Sequence, residues 1–195
     1  MTPKPTIHSV AVFCGSRPGN NPAFAEAARA LGEGLARAGI RLVYGGGRVG
    51  LMGIVADAAL AAGGQVLGVI PEFLQRWEVA HAGVTDMVVT PTMHDRKYRM
   101  FDVSDAFVTL PGGIGTMDET IEIISWRQLR LHNKPILICD VAGSAAPLHA
   151  ALEASVTMGF AAPETRNLYE VIPDVPAVLE RLARLPAGEG SAERL

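Results

Sequence analysis

The chain alternates short runs of continuous apolar residues with longer stretches in which apolar positions return every three or four residues. Residues 9–14, Ser-Val-Ala-Val-Phe-Cys, form an unbroken run of the kind buried on both faces of a parallel sheet. A turn over 15–21 follows. Pro22 then opens a helix whose Phe24, Ala27, Ala28, Leu31 and Leu35 share one face, and Gly39 ends it. The same reading predicts strands over 40–44, 65–70, 106–110, 135–139 and 169–172, and helices over 51–62, 93–102, 117–131, 146–158 and 175–185. Between 72 and 91 the pattern is irregular, with a short strand expected at 87–89. Strands alternating with helices predict the α/β class: a single Rossmann-like doubly wound parallel sheet with helices on both faces over 1–185, followed by a flexible tail over 186–195.

Three predicted strands run into glycine-rich turns, at 15–19, 45–50 and 112–115. Right-handed crossovers bring the C-terminal ends of parallel strands to one edge, so the three turns are expected to line one crevice. The third turn, Pro111-Gly-Gly-Ile-Gly-Thr116, reads as an anion cradle. Glycines 112, 113 and 115 are expected to take positive φ and let backbone approach a ligand, while the next helix offers free N–H groups and a positive dipole end. Thr116-x-x-Glu119 is also a capping box, which starts a helix whether or not anything binds.

Composition narrows the classes. With 195 residues, 49% hydrophobic and 19% charged, the chain suits a soluble globular protein. A net charge of -3 without a long basic run argues against a nucleic-acid polymer as partner. The first residues form neither a signal peptide nor a membrane span, so no membrane partner and a cytoplasmic location are expected. Cys14 and Cys139 each end a predicted buried strand and read as packing; the five histidines show no ligand spacing, and no metal is expected. Gly45-x-Gly47-x-x-Gly50 matches the dinucleotide pattern, but it follows the second strand, Arg48 sits inside it and Pro71 precedes the downstream Glu72. Nicotinamide or flavin binding is therefore disfavoured, and the absence of GxxxxGK[ST] excludes a P-loop. Arg96 and Lys97, on the helix feeding the cradle, read either as a solvated face or as donors to phosphate, ribose or a purine edge.

Pro111-Gly-Gly-x-Gly-Thr-x-x-Glu119, with Met93-x-x-Arg96-Lys97-x-x-Met100 and Gly45-Gly-Gly-x-x-Gly-Leu-Met-Gly53 upstream, resembles the Lonely guy (LOG) family of cytokinin riboside 5'-monophosphate phosphoribohydrolases. The likeness runs in the family's order over nearly the whole chain. It implies hydrolysis of the N-glycosidic bond of N6-substituted adenosine 5'-monophosphates, giving free base and ribose 5-phosphate, with no cofactor; AMP is left open as a further substrate. It makes the residues matching Arg96 and Glu119 the catalytic pair. Positions matching Glu78, Lys97, Gly113, Ile114, Gly115, Thr116, Met117, Asp118 and Ser125 are implied to contact the nucleotide. The glycine-rich turns add Gly112, Ser16, Gly46 and Gly47 as candidate binding positions. Ser125 stands where relatives often carry threonine and Asp118 where many carry glutamate. The family also implies a homodimer. Members were long labelled possible lysine decarboxylases, but that chemistry needs a Schiff-base lysine for pyridoxal phosphate, and Lys97 lies beside an arginine among nucleotide-type turns. Two other readings stay open: a broad purine nucleotide nucleosidase, and a sensor or carrier that binds nucleotide without turnover.

Overall fold

The computed structural model describes residues 7–75, 79–186 and 188. Its centre is a seven-stranded, all-parallel sheet: β1 (Ser9–Phe13), β2 (Arg41–Tyr44), β3 (Val66–Pro71), β4 (Asp86–Thr90), β5 (Ala106–Thr109), β6 (Ile136–Cys139) and β7 (Glu170–Ile172), in the order β4-β3-β2-β1-β5-β6-β7. The chain winds outward from β1 to β4, then returns to pair β5 against the other side of β1. That reversal is a topological switch point, where the loops leaving the two central strands diverge and open a crevice.

Alternation along the central strands explains why both faces need helices. Val10 and Val12 point into one apolar core with Leu31 and Leu35 of α1 (Pro22–Arg37), Val55 of α2 (Gly50–Ala61) and, beyond them in the chain, Val178 and Leu182. Ala11 and Phe13 point into the second core with Met100 and Phe101 of α3 (Met93–Asp102), Ile123 and Ile124 of α4 (Ile114–Gln128) and Leu148 of α5 (Ala146–Thr157). The helix carrying Val178 and Leu182 is α6, Val175–Arg184. At the N-terminal edge, one oxygen of Asp105 accepts from His8 N–H, Ser9 N–H and the Ser9 hydroxyl at 2.8–3.0 Å, tying the starts of β1 and β5 together. The expected doubly wound architecture is present, and β4 extends the strand expected at 87–89 by one residue at each end.

Most element boundaries fall within a residue of those expected, but one element begins further away. α4 starts at Ile114, three residues before the expected 117, with Gly113 as its N-cap and no side-chain cap. Thr116 therefore lies inside the first turn, and the capping box expected of Thr116 and Glu119 does not form. Threonine and glutamate at that spacing are a signal only when the threonine is extended, and here the preceding glycine takes the extended role.

Candidate active site

β1 and β5 deliver their following loops side by side at the switch point. Gly15 N–H donates to Pro111 O at 3.0 Å and Leu51 N–H to Gly15 O at 2.9 Å, so the three glycine-rich turns converge on one edge. Between them lies a crevice of about 160 Å³ lined by Cys14, Ser16, Gly45, Met52, Arg96, Glu119 and residues 113–116. A wider opening of about 630 Å³ adjoins it, lined by Arg17, Phe24, Leu51, Pro111 and Ser144 and sharing Gly15, Ser16, Gly113 and Ile114 with the crevice. The start of α4 faces both. Helix geometry leaves the N–H groups of 114–116 without a carbonyl partner inside the helix, and its dipole adds partial positive charge there.

The glycines of the cradle work differently from the expectation. None of Gly112, Gly113 and Gly115 has positive φ; among the glycine-rich turns that conformation belongs to Gly19, Gly46 and Gly50. Gly112 is required by contact, since a Cβ there would lie 2.0 Å from the Thr116 hydroxyl oxygen. At Gly113 and Gly115 a Cβ would meet nothing within 4 Å: it would project into open space beside the helix start.

Arg96, on α3, is buried, as is Glu119 on α4, and their side chains meet at Nη1···Oε1 3.4 Å. The guanidinium is fixed by more than the carboxylate. Its Nε donates to Val69 O at 3.1 Å and its Nη2 to Gly45 O at 3.3 Å, which joins the C-terminal ends of β3 and β2. A Cβ at Gly45 would stand 2.1 Å from Nη2, so only glycine leaves room for this arrangement. A permanently charged fork with backbone carbonyls on two donors has few donors left for a ligand; its main effect is to hold the carboxylate and present positive charge to the crevice.

Lys97 points along the other side of α4. Its Nζ pairs with Glu122 at 3.0 Å and Asp118 at 3.2 Å. Burial works to lower its pKa, but the hydrogen bonds and charges of Glu122 and Asp118 together outweigh burial and raise it.

Of the expected site residues, the structure brings Ser16, Arg96, Gly113, Ile114, Gly115, Thr116 and Glu119 to the crevice, with Gly112 on the wider opening. Lys97 and Asp118 pair with each other outside it. Met117 lines an adjoining, largely apolar cleft toward β6. Gly46 and Gly47 are buried beneath the strap 79–81, which accepts Arg48 N–H at Val79 O and donates His81 N–H to Gly46 O. Gly45 takes their place at the crevice. Ser125 is exposed on α4, about 18 Å along the helix from Gly113 at 1.5 Å per residue. Glu78 lies outside the described residues. Sequence reasoning missed Cys14 and Met52; the signal was position, one ending the first central strand and the other opening the helix after the second turn.

A switch-point crevice that sets free helix N–H groups next to a buried guanidinium–carboxylate pair defines an α/β protein built for a small anionic ligand. Among curated proteins the chain is 44% identical to a cytokinin riboside 5'-monophosphate phosphoribohydrolase of Rhodococcoides fascians, over 90% of this chain and 89% of that one. It is 37% identical to a protein of that name from Arabidopsis thaliana, over 96% and 82% of the two chains. The chain belongs to this family, whose model, described as "Possible lysine decarboxylase", matches residues 52–182. Solved structures share the fold at lower identity: molybdenum cofactor carrier protein from Chlamydomonas reinhardtii (TM-score 0.69, 20% identity, 93% of this chain and 98% of that one) and the molybdenum cofactor binding protein from Rippkaea orientalis (0.69, 20%, 93% and 97%).

The lysine decarboxylase description finds no support in the described lysines. A pyridoxal phosphate enzyme needs an amine that is readily neutral and faces the site. Lys97 is held as a cation by two carboxylates. Lys134, pushed down to about 8 by burial, donates to Phe101 O at 2.8 Å and lies over the Phe101 ring, at the sheet edge opposite the crevice. Lys4, the third lysine in the chain, lies outside the described residues.

Proposed function

We propose that the protein hydrolyses the N-glycosidic bond of N6-substituted adenosine 5'-monophosphates, releasing the free base and ribose 5-phosphate. The observation that carries this reading is the buried Arg96–Glu119 pair beside the uncapped start of α4. Family membership and the relatives' names supply the substrate class.

The 5'-phosphate is bound by the N–H groups of 114–116 with the Ser16 hydroxyl at the rim. Glu119 follows one helical turn later, at the distance of the ribose. As the C1'–N9 bond breaks, its electron pair leaves with the base and C1' gains oxocarbenium character, which the carboxylate stabilises while it orients a water for attack on C1'. Water supplies the hydroxyl of ribose 5-phosphate and a proton for the departing base. Arg96 is no general acid, since a guanidinium keeps its proton in proteins; it holds Glu119 and counters negative charge collecting on the leaving base.

A homodimer completes this reading. Ile114, Met117 and Ile121 are exposed along one stripe of α4, and Ser125 continues that stripe. Ser125 is too far from its own cradle to touch the same nucleotide, so a substrate contact from it belongs to the site of a second copy packed on this stripe. Cys14 and Cys139 are both buried and neither is in a disulfide, which suits a reducing compartment, and we assign the protein to the cytoplasm. Among the described residues, no helix is long and apolar enough to cross a membrane.

The test is chromatographic detection of free base and ribose 5-phosphate after incubating the purified protein with AMP and with isopentenyladenosine monophosphate in the presence of EDTA. Faster release from the isopentenyl substrate is expected. Equal release from both would make it a broad purine nucleotide nucleosidase, and nucleotide binding without release would make it a carrier or sensor.

A further inference from the structure

Behind the cradle lies a hydroxyl relay of Thr109 and Thr120, neither of them among the site residues above, that ends on the carbonyl of the cradle residue Thr116. The Oγ1 atoms of Thr109, the last residue of β5, and Thr120, in the second turn of α4, lie 2.8 Å apart, and Thr120 Oγ1 donates to Thr116 O at 2.7 Å. All three threonines are buried, Thr120 completely. The direction of the relay follows from valence. The Thr116 carbonyl only accepts, so the Thr120 proton is committed to it, and the proton between the two hydroxyls must come from Thr109.

We propose that Thr109 and Thr120 are positioning residues for the hydrolysis proposed above, and the inference rests on that reading: they set the rotation of α4 about its axis relative to β5. Two valines would fill the same volume with no hydroxyl to desolvate, and threonine is not a strong helix former, so the relay contributes little net stability over an apolar pair. What it adds is direction. Thr116 and Thr120 are one turn apart on the inward face, and Glu119 lies between them, turned toward Arg96. A rotation that breaks the relay swings the 114–116 N–H groups away from the phosphate and the Glu119 carboxylate away from C1'. Displacements of about 1 Å at a reacting centre cost up to about a hundredfold in rate.

The experiment compares wild type with the double variant Thr109→Val/Thr120→Val, the single variant Thr109→Val, and the serine variants Thr109→Ser and Thr120→Ser, which keep the hydroxyls. For each, kcat and KM for isopentenyladenosine monophosphate, the thermal midpoint and the affinity for ribose 5-phosphate by calorimetry are measured. The double valine variant is expected to unfold no earlier than wild type, yet to lose about tenfold or more in kcat and about threefold in ribose 5-phosphate affinity. The serine variants should stay near wild type, and Thr109→Val, which removes the relay's bond between β5 and α4 and leaves only the bond within α4, should lose about as much as the double variant. Double-variant kcat and affinity both within about twofold of wild type would overturn the proposal. So would a loss that the serine variants share. If the double variant does not fold, Thr109→Val decides by the same readings. If wild type releases no base, the glycosidase reading fails by itself, and ribose 5-phosphate affinity alone then judges the relay: a loss supports it and an unchanged value overturns it.

Discussion

Arg96 holds together two things that are usually separate, a charge at the site and a bond in the frame. Its guanidinium reaches Gly45 O, Val69 O and Glu119 from a buried position, so truncation does more than remove a charge. Arg96→Ala is expected to abolish base release and also to lower stability by about 3 kcal/mol, because Glu119 is left buried beside two unpaired carbonyls. Glu119→Gln keeps the shape and a hydrogen-bond acceptor for Arg96; it should cost about a hundredfold or more in kcat with a thermal midpoint close to wild type. Kinetics and thermal denaturation run in parallel separate the two cases, and near-normal turnover in either variant would remove that residue from the chemistry. Gly45→Ala tests the same arrangement from the backbone side. Its methyl group would stand 2.1 Å from Arg96 Nη2, so the guanidinium must move, and about tenfold or more of kcat should go with it although residue 45 carries no catalytic group.

At the scale of elements, α4 carries the cradle at its first turn, Glu119 at its second and an apolar outer stripe along its length. Ile121→Glu puts a charge in the middle of that stripe without touching the crevice. It should convert the proposed dimer to a monomer by sedimentation and reduce turnover, whereas a wild-type protein that sediments as a monomer would sink the dimer reading. The sequence made the strands and most helices legible because each has a clear period: α3 occupies the expected 93–102, and the order of glycine-rich turns foretold a crevice. The start of α4 was not legible, because a glycine N-cap with no side-chain bond leaves no chemical signature while Thr116-x-x-Glu119 offers a false one. The roles of Gly112, Gly113 and Gly115 were misread for a related cause. Glycine in a sequence does not say whether it serves a positive φ, a close contact or open space, and here it serves the second and third. The bonds from Arg96 to Gly45 and Val69 span 51 and 27 residues, separations over which no local pattern operates.

For the whole molecule, the pH dependence of stability has a definite source on the side of the sheet away from α1. His132 is buried, its Nε2–H donating to Ile123 O at 2.9 Å and its Nδ1 accepting from Lys134 N–H at 3.1 Å, a pairing that only the neutral ring satisfies. Burial is the largest cause pushing its pKa down to about 4, with Lys134 and Arg127 adding to it against the Ile123 bond. The unfolded chain therefore binds more protons than the native one between pH 6.5 and about 4, and stability present above 6.5 is lost as pH falls through that window, by about 3 kcal/mol from this residue. Thermal midpoints measured from pH 7 to 4 should fall for wild type and fall less for His132→Gln; parallel curves would assign acid sensitivity elsewhere. The clasp that Arg96 makes across the ends of β2 and β3 has a consequence of another kind. Because the same guanidinium secures the sheet edge and the carboxylate, heat offers no route to a folded but dormant enzyme: residual activity and residual native signal should decay together, and a sample that has lost one will have lost the other.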